Sequence, residues 1–418
     1  MQENTGPLAG IRIVDLTQFL SGPFCTQILA DLGAEIIKIE APQGDLARHI
    51  PPYFVADDSA YYLSVNRNKR SLGLDLKTKE GAALLRQMID KCDVVIENFR
   101  PGVLERLLGV TEAELRGAKP ELIWCSISGF GQTGPYRDKP AYDMIVQALS
   151  GGMSLTGEPG RAAVRAGIPI GDLAAGMYAV MGVLAALVRR GSNGRGNSVD
   201  ISMLDCQAAL LCYQAAYHLH SGNVPGRQGS GHDSIPTYRS FAAGDGREIV
   251  ITANTERMWQ GLCEALELHR LIDDPRFTTN KLRYANRFEL WPILEDAFLT
   301  KSADYWVEAL ERKEVPVGVV NTLDRVVADP QIASREMVLE IDATDGRATR
   351  VMGNPIKLRE DERQEHSYPP ALGEDSVEIL EEVLGLKASE IGGLIDKGVV
   401  LAQTRKPEPA LPRALNAV

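Results

Sequence analysis

Over its first third, the 418-residue chain alternates short, β-branched apolar runs with amphipathic segments, and that alternation restricts the fold more than any other feature. Residues 11–16 (IRIVDL), 34–40 (AEIIKIE), 93–99 (DVVIENF) and 122–128 (LIWCSIS) read as strands. Residues 24–32, begun near Gly22 and Pro23, and residues 80–91, apolar at 83, 84, 85, 88 and 89, read as helices. Pro101 sits where a first helical turn tolerates it and opens a helix over 103–108. Thr111 and Glu114 have the spacing of a capping box. Strands alternating with such helices predict an α/β fold with a Rossmann-like parallel sheet covered on both faces.

A chain of this length exceeds what one core usually supports, so two domains are expected. Residues 173–190 are apolar nearly all round and predict a central buried helix, interrupted by Gly176 and Gly182 and short of a membrane span. A turn over 191–196, a strand over 198–202 and a helical stretch to about His220 follow. Residues 222–231 hold four glycines and one proline, which suits a domain junction. The expected division is a large domain over 1–224 and a small α/β domain over 225–335. The small domain has a strand over 248–252 and helices around 258–268 and 290–299. Residues 336–418 return to the large domain, with strand-like contexts at Val351 and Ile356, a helix over 376–384, and an extended arm from Thr404.

The formal charge of −11 lacks the footprint of a general nucleic-acid binder, so any anionic ligand must be held by a local cluster of cations and backbone N–H groups. The six cysteines are scattered and form no C-x-x-C, as expected of free thiols in a reducing compartment. The opening MQENTGPL has no secretory pattern, and a cytoplasmic protein without membrane attachment is expected. Gly129–Gly134 match G-x-G-x-x-G, but Pro135 and Pro140 follow where a dinucleotide site needs a helix start, so a tight turn is the better reading. His218 and His220 have no third ligand nearby, and no metal is expected. The basic run 66–70 is either a solvated surface loop or a phosphate clamp. Lys77, Arg100 and Arg106 fall in βα connections, where ligands of open α/β sheets collect. Asp172 precedes the apolar helix. It reads either as an N-cap or as a working carboxylate, because an unpaired charge in such surroundings carries a desolvation cost.

Several blocks in order then resemble the class III CoA-transferases, the family of formyl-CoA transferase and carnitine CoA-transferase, within the same superfamily as α-methylacyl-CoA racemase. They are DLTQFLSGP (15–23), DLGAEIIKIE (31–40), NKRS (68–71), LDLK (74–77), VIENFRPG (95–102), Gly171 with Asp172, GRG (194–196) and GNPIK (353–357). The resemblance runs from residue 8 to about 358 and implies that Asp172 is the covalent nucleophile, ionised near the usual 3.9 without a general base. It places coenzyme A contacts at Leu74, Asp75, Lys77, Asn98, Phe99, Arg100 and Arg106, with Lys139 and Tyr142 along the pantetheine path. It also implies a mobile glycine loop at Gly229 and Gly231 and an interlocked-ring homodimer. Gln18 and Leu20 stand where some relatives carry His and Gln, and Ala41 replaces a basic residue, which bears on the substrate. The implied reaction passes CoA from an acyl-CoA, succinyl-CoA for instance, to a small carboxylic acid, with CoA as substrate and no permanent cofactor. The rival with the same fold is the racemase, which needs two acid/base groups. Tyr142 followed by Asp143 stands where such relatives place His and Asp, and tyrosine is a poor proton shuttle at neutral pH. A nicotinamide oxidoreductase is the remaining alternative.

Overall fold

The structure, a computed structural model, describes residues 6–360 and 365–403; the arm expected from Thr404 lies outside the described residues. The chain divides into two compact units, the first comprising residues up to Gly152, Ala166–Ala215 and those from Ala333 onward. The second takes Met153–Arg165 and Ala216–Ile332, so a short segment that the sequence leaves within the large domain belongs to the smaller unit.

The first unit is framed by β1 (Arg12–Leu16), β2 (Glu35–Glu40), β3 (Lys69–Leu74), β4 (Val94–Glu97), β5 (Ile123–Ser128), β6 (Ser198–Ser202) and β7 (Val400–Leu401). They form one sheet ordered β7-β3-β2-β1-β4-β5-β6, parallel throughout except for β7, which runs antiparallel to β3. Its helices in chain order include α1 (Ser21–Asp31), α2 (Lys79–Asp90), α3 (Val103–Leu108), α4 (Asp143–Leu149), α5 (Ile170–Asn193), α6 (Met203–Leu210), α7 (Ser376–Leu384) and α8 (Ala388–Asp396). Successive strand residues point to opposite faces. Ile13, Ile36 and Val94 thus join α1 and α5 in one core, while Val14, Ile37 and Val95 join α2, α3, α7 and α8 in another. This two-faced burial is what the apolar runs require. The C-terminal edge is fixed by Ser376, whose hydroxyl donates to the Leu401 carbonyl (2.6 Å) and accepts from the Gly73 N–H (3.0 Å).

Several expectations need correction. Helix α5 begins at Ile170 behind Pro169, three residues before the predicted start, so Asp172 lies inside the first turn and is not the N-cap. At 24 residues α5 is long and apolar enough to cross a membrane, yet it packs against α1, α4, α6, β5 and β6 as a core element. Gly176 permits the close approach to α1, since a Cβ there would stand 2.7 Å from the Ser21 carbonyl oxygen. It is not buried all round, because Met177, Met181 and Val188 are exposed along one side. Pro101 lies outside α3, whose cap is Gly102 with φ of 76°. The stretch after β6 breaks at Cys212, where φ is positive, into two helices. Val351 lies in a strand, but Ile356 lies in none and is exposed. The basic run 66–70 is neither solvated loop nor clamp: Arg67 is buried and grips Asp31 through two bonds (2.9 and 2.5 Å), and Lys69 is buried beside Asp15. The sequence shows where the charges occur but not that carboxylates 36 and 54 residues away neutralise them.

The second unit carries a three-stranded antiparallel sheet, Val317–Val319, Glu248–Ile251 and Arg239–Ala242 in spatial order. Helices Glu256–Ala265, Arg287–Phe298 and Ala303–Glu311 cover it, burying Trp259, Phe277, Phe298 and Trp306.

Candidate active site

The strand order reverses between β1 and β4, and ligands of open α/β sheets bind outside the carboxyl ends of strands at such a point. The two connections there are stitched together. The Gln18 N–H donates to Asn98 Oδ1 (2.9 Å), and Asn98 Nδ2 donates back to the Gln18 carbonyl (2.8 Å). Two of the residues named from sequence therefore meet. The next residue, Phe19, has φ of 64°, a left-handed conformation that costs a non-glycine residue about 1–3 kcal/mol and persists only where the surroundings impose it. Its N–H donates to Asp45 Oδ1 (3.1 Å), and Asp45 forms a fully buried ion pair with Lys38 (2.9 Å). The Phe19 ring stands edge-on to Tyr142, centroids 6.3 Å apart.

Tyr142 is exposed and precedes α4, whose first residue, Asp143, is fully engaged. Its Oδ1 accepts the Gly171 N–H (2.7 Å) and its Oδ2 accepts Gln147 Nε2 (2.6 Å). A Cβ at Gly171 would crowd the ends of the Gln207 and Asp143 side chains, so a larger residue would displace the groups that meet this turn. Asp143 thus plays the capping part that was one of the two readings of Asp172. Asp172 itself forms no hydrogen bond or ion pair with the described residues. Burial, and then the charge of Asp143, push its carboxyl from 3.8 up to about 7. The expectation of an ordinary aspartate near 3.9 does not hold, because burial favours the protonated form well above the usual carboxylate range. Tyr61, pushed up to about 12 by burial and then by the charges of Asp172, Asp45 and Asp143, lies in the same electrostatic neighbourhood. Tyr61 has no motif of its own, and although Phe19 lies in a family block and Asp143 beside Tyr142, neither the bonding of Asp143 nor a positive φ at an aromatic residue can be read from sequence.

The remaining residues line the strand ends. Leu74 is wholly buried at the end of β3 and paired with Val400 of β7, so this residue, named from sequence as a coenzyme A contact, has no surface exposed to a ligand. Asp75 forms a turn by accepting the Lys77 N–H (3.0 Å). Phe99 is held by its N–H to Glu97 (2.8 Å), a carboxyl that burial pushes up to about 7. Lys77, Arg100 and Arg106 are exposed and form no ion pair with the described residues. Arg106 Nη1 and Arg137 Nη2 flank Gly102, 3.3 and 3.8 Å from where a Cβ would stand. Lys139 caps the ring of Tyr136 (3.6 Å to the centroid). Gly229 and Gly231 belong to the second unit, where the Gly229 N–H donates to the Gly157 carbonyl (2.9 Å) and Gly231 bridges Arg239. After Gly129–Gly134 comes a turn, not a helix, and the Gln132 N–H donates to Asp200 (3.0 Å). That loop closes on a carboxylate and would repel a pyrophosphate.

Residues 8–376 match the family described as CoA-transferase family III. The chain belongs to this family. This CoA-transferase is 38% identical over 398 residues to the human succinyl-CoA:glutarate CoA-transferase, covering 95% of this chain and 90% of the relative. It is 38% identical over 385 residues to the acetyl-CoA:oxalate CoA-transferase of Acetobacter aceti, covering 90% and 96%. Among solved structures it resembles a CAIB/BAIF family protein from Brucella suis, with a TM-score of 0.81 and 36% identity over 91% of this chain and all of that one. An enzyme of this class takes acyl-CoA and a carboxylic acid as substrates, and the racemase and oxidoreductase alternatives are set aside.

Proposed function

We propose that this CoA-transferase moves CoA from succinyl-CoA to a small carboxylic acid, glutarate being the first to test, through covalent intermediates on Asp172. The supporting observation is the contrast of two neighbouring carboxylates, one saturated with donors (Asp143) and one unpaired in a helix's first turn (Asp172). The Asp172 carboxylate attacks the thioester carbonyl, a C–O bond forms, and the C–S bond breaks to release CoA thiolate. The thiolate then attacks the aspartyl carbonyl of the anhydride, expelling succinate and leaving an aspartyl-CoA thioester. The acceptor carboxylate displaces thiolate from that carbonyl, and thiolate attack on the acceptor's own carbonyl frees Asp172 and the new acyl-CoA. Incubation with succinyl-CoA and a panel of acids, read by mass spectrometry for new thioesters, tests the reading; absence of transfer to every acid would reject it.

Coenzyme A is assigned to the strand ends from Asp75 to Lys77 and from Asn98 to Arg106, with Lys139 and Tyr142 along its arm. Arg106→Ala should raise KM for acyl-CoA about tenfold or more while leaving kcat within a few-fold, the loss of one charge-assisted contact that is equal in ground and transition states. A fall in kcat alone would place Arg106 elsewhere.

The enzyme is further proposed to be a homodimer. Met177, Met181 and Val188 repeat along one side of α5 and are 43%, 53% and 77% exposed, an apolar stripe that a partner chain would cover. Met181→Asp should convert the dimer to monomer in sedimentation equilibrium; a wild-type chain already monomeric would refute the assignment.

A further inference from the structure

We propose that Phe19, braced by the buried Lys38–Asp45 pair, is the wall that keeps water from the aspartyl intermediates, so that the enzyme transfers CoA instead of hydrolysing acyl-CoA. This rests on the reading of Asp172 as the nucleophile. Both the mixed anhydride and the aspartyl thioester can be lost to water, whose oxygen bonds to the attacked carbonyl. In the anhydride the C–O bond breaks and a carboxylate leaves, in the thioester the C–S bond breaks and CoA thiolate leaves, and the water proton passes to the leaving group or to solvent. A transferase must therefore exclude solvent while admitting a carboxylate.

The loop after β1 is built for rigidity beyond what its length requires. The Thr17 N–H donates to Asp15 (2.8 Å) and the Thr17 carbonyl accepts from Lys38 Nζ (2.7 Å). Gln18 is held at both its N–H and its carbonyl by Asn98, and the Phe19 N–H by Asp45. Asp45 is itself fixed, because its N–H donates to Glu40 (3.0 Å) and its side chain, like that of Lys38, is inaccessible to solvent. Glycine is the residue that a φ of 64° favours, so an aromatic side chain held there against strain is retained for its ring. That ring meets Tyr142, one residue before Asp143, which holds the turn carrying Asp172. Asp45 is a positioning residue in this scheme, acting only through Phe19.

The test compares Phe19→Ala, which removes the ring and keeps the strain, with Phe19→Gly, which removes both, and Phe19→Tyr, which restores a ring. CoA release from succinyl-CoA without acceptor reads hydrolysis; new thioester formed with the best acid of the panel reads transfer. Phe19→Ala and Phe19→Gly should raise the ratio of hydrolysis to transfer about tenfold or more, Phe19→Tyr should bring it back most of the way, and Asp45→Asn should raise it by less. Phe19→Gly should melt above Phe19→Ala, so a folded ring-less variant is at hand even if alanine is not tolerated. An unchanged ratio in folded Phe19→Gly, beside an Asp172→Ala that has lost both activities, overturns the wall alone. Retained turnover in Asp172→Ala overturns the aspartyl reading and the wall with it.

Discussion

Asp172→Ala should reduce CoA transfer by about 10³-fold or more, because in the proposed scheme no other group forms the covalent bond on which every later step depends. Asp172→Asn should be equally inactive but more stable than the wild type at alkaline pH. The carboxyl titrates near 3.9 in an unfolded chain and at about 7 in the fold. A raised carboxyl means that the folded state disfavours the ionised form. The penalty is absent below the unfolded value, grows as pH rises between the two, and is complete above about 7. The side chain is partly exposed, so the penalty is on the order of 2 kcal/mol once solvent screening is counted. Thermal melts of Asp172→Asn and wild type should coincide below about pH 4, diverge as pH rises toward about 7 and stay apart above it, the variant being the more stable. The same titration governs the chemistry. Release of the first CoA in single-turnover experiments should rise tenfold per pH unit below about 7 and level off above it. Asp143→Asn, which removes the second cause of the shift, should move that midpoint toward acid. A flat profile, or a midpoint near 4, would contradict the environment described for Asp172.

How far these features were legible in the chain depends on whether their cause is local. Five of the seven strands followed from runs such as IRIVDL and AEIIKIE, since burial on both faces leaves an apolar mark, whereas β3 (KRSLGL), which begins with two cations, and the two-residue edge strand β7 carry no such mark and were not read as strands. Asp172 was found through motif order, yet its helix begins three residues earlier than the apolar run suggests, which removes the N-cap reading. The Gly171 N–H is met instead by Asp143, 28 residues before Gly171, brought there by the packing of α4 on α5. Its raised titration was equally invisible, because desolvation and a second carboxylate are properties of the fold. The basic run 66–70 shows the converse: its charges were obvious, and their burial against Asp31 and Asp15 was not. Gln18 and Asn98 were each named without any sign that they bond to one another across the strand reversal.

Lys69→Met should destabilise the fold by about 3–5 kcal/mol at neutral pH, the cost of leaving a buried charge without its partner. Lys69 Nζ lies 3.2 Å from Asp15 Oδ2, and both side chains are inaccessible to solvent. Against the burial that would raise it, the charges of Lys69 and Lys38 and the hydroxyls of Thr17 and Thr26 hold the Asp15 carboxyl at about 2. Burial in turn lowers Lys69 to about 8, with Asp15 opposing the fall. A depressed carboxyl contributes stability that is present above its unfolded value near 3.9 and lost as pH falls through about 2. In Lys69→Met the carboxyl keeps only part of that support and titrates higher, so the gap to wild type should shrink on acidification as the orphaned Asp15 takes up a proton. The double variant Asp15→Asn, Lys69→Met should recover part of the loss, because the buried charge is gone and the amide can still accept the Thr17 N–H. Urea denaturation of wild type, Lys69→Met, Asp15→Asn and the double variant across this range measures the coupling directly. A single variant within about 1 kcal/mol of wild type at every pH would mean that the pair beneath the loop contributes no net stability. Thr17 begins the loop that carries Gln18 and Phe19, so the active protein should also lose kcat before it loses its fold, the pair acting on the site through the backbone it anchors.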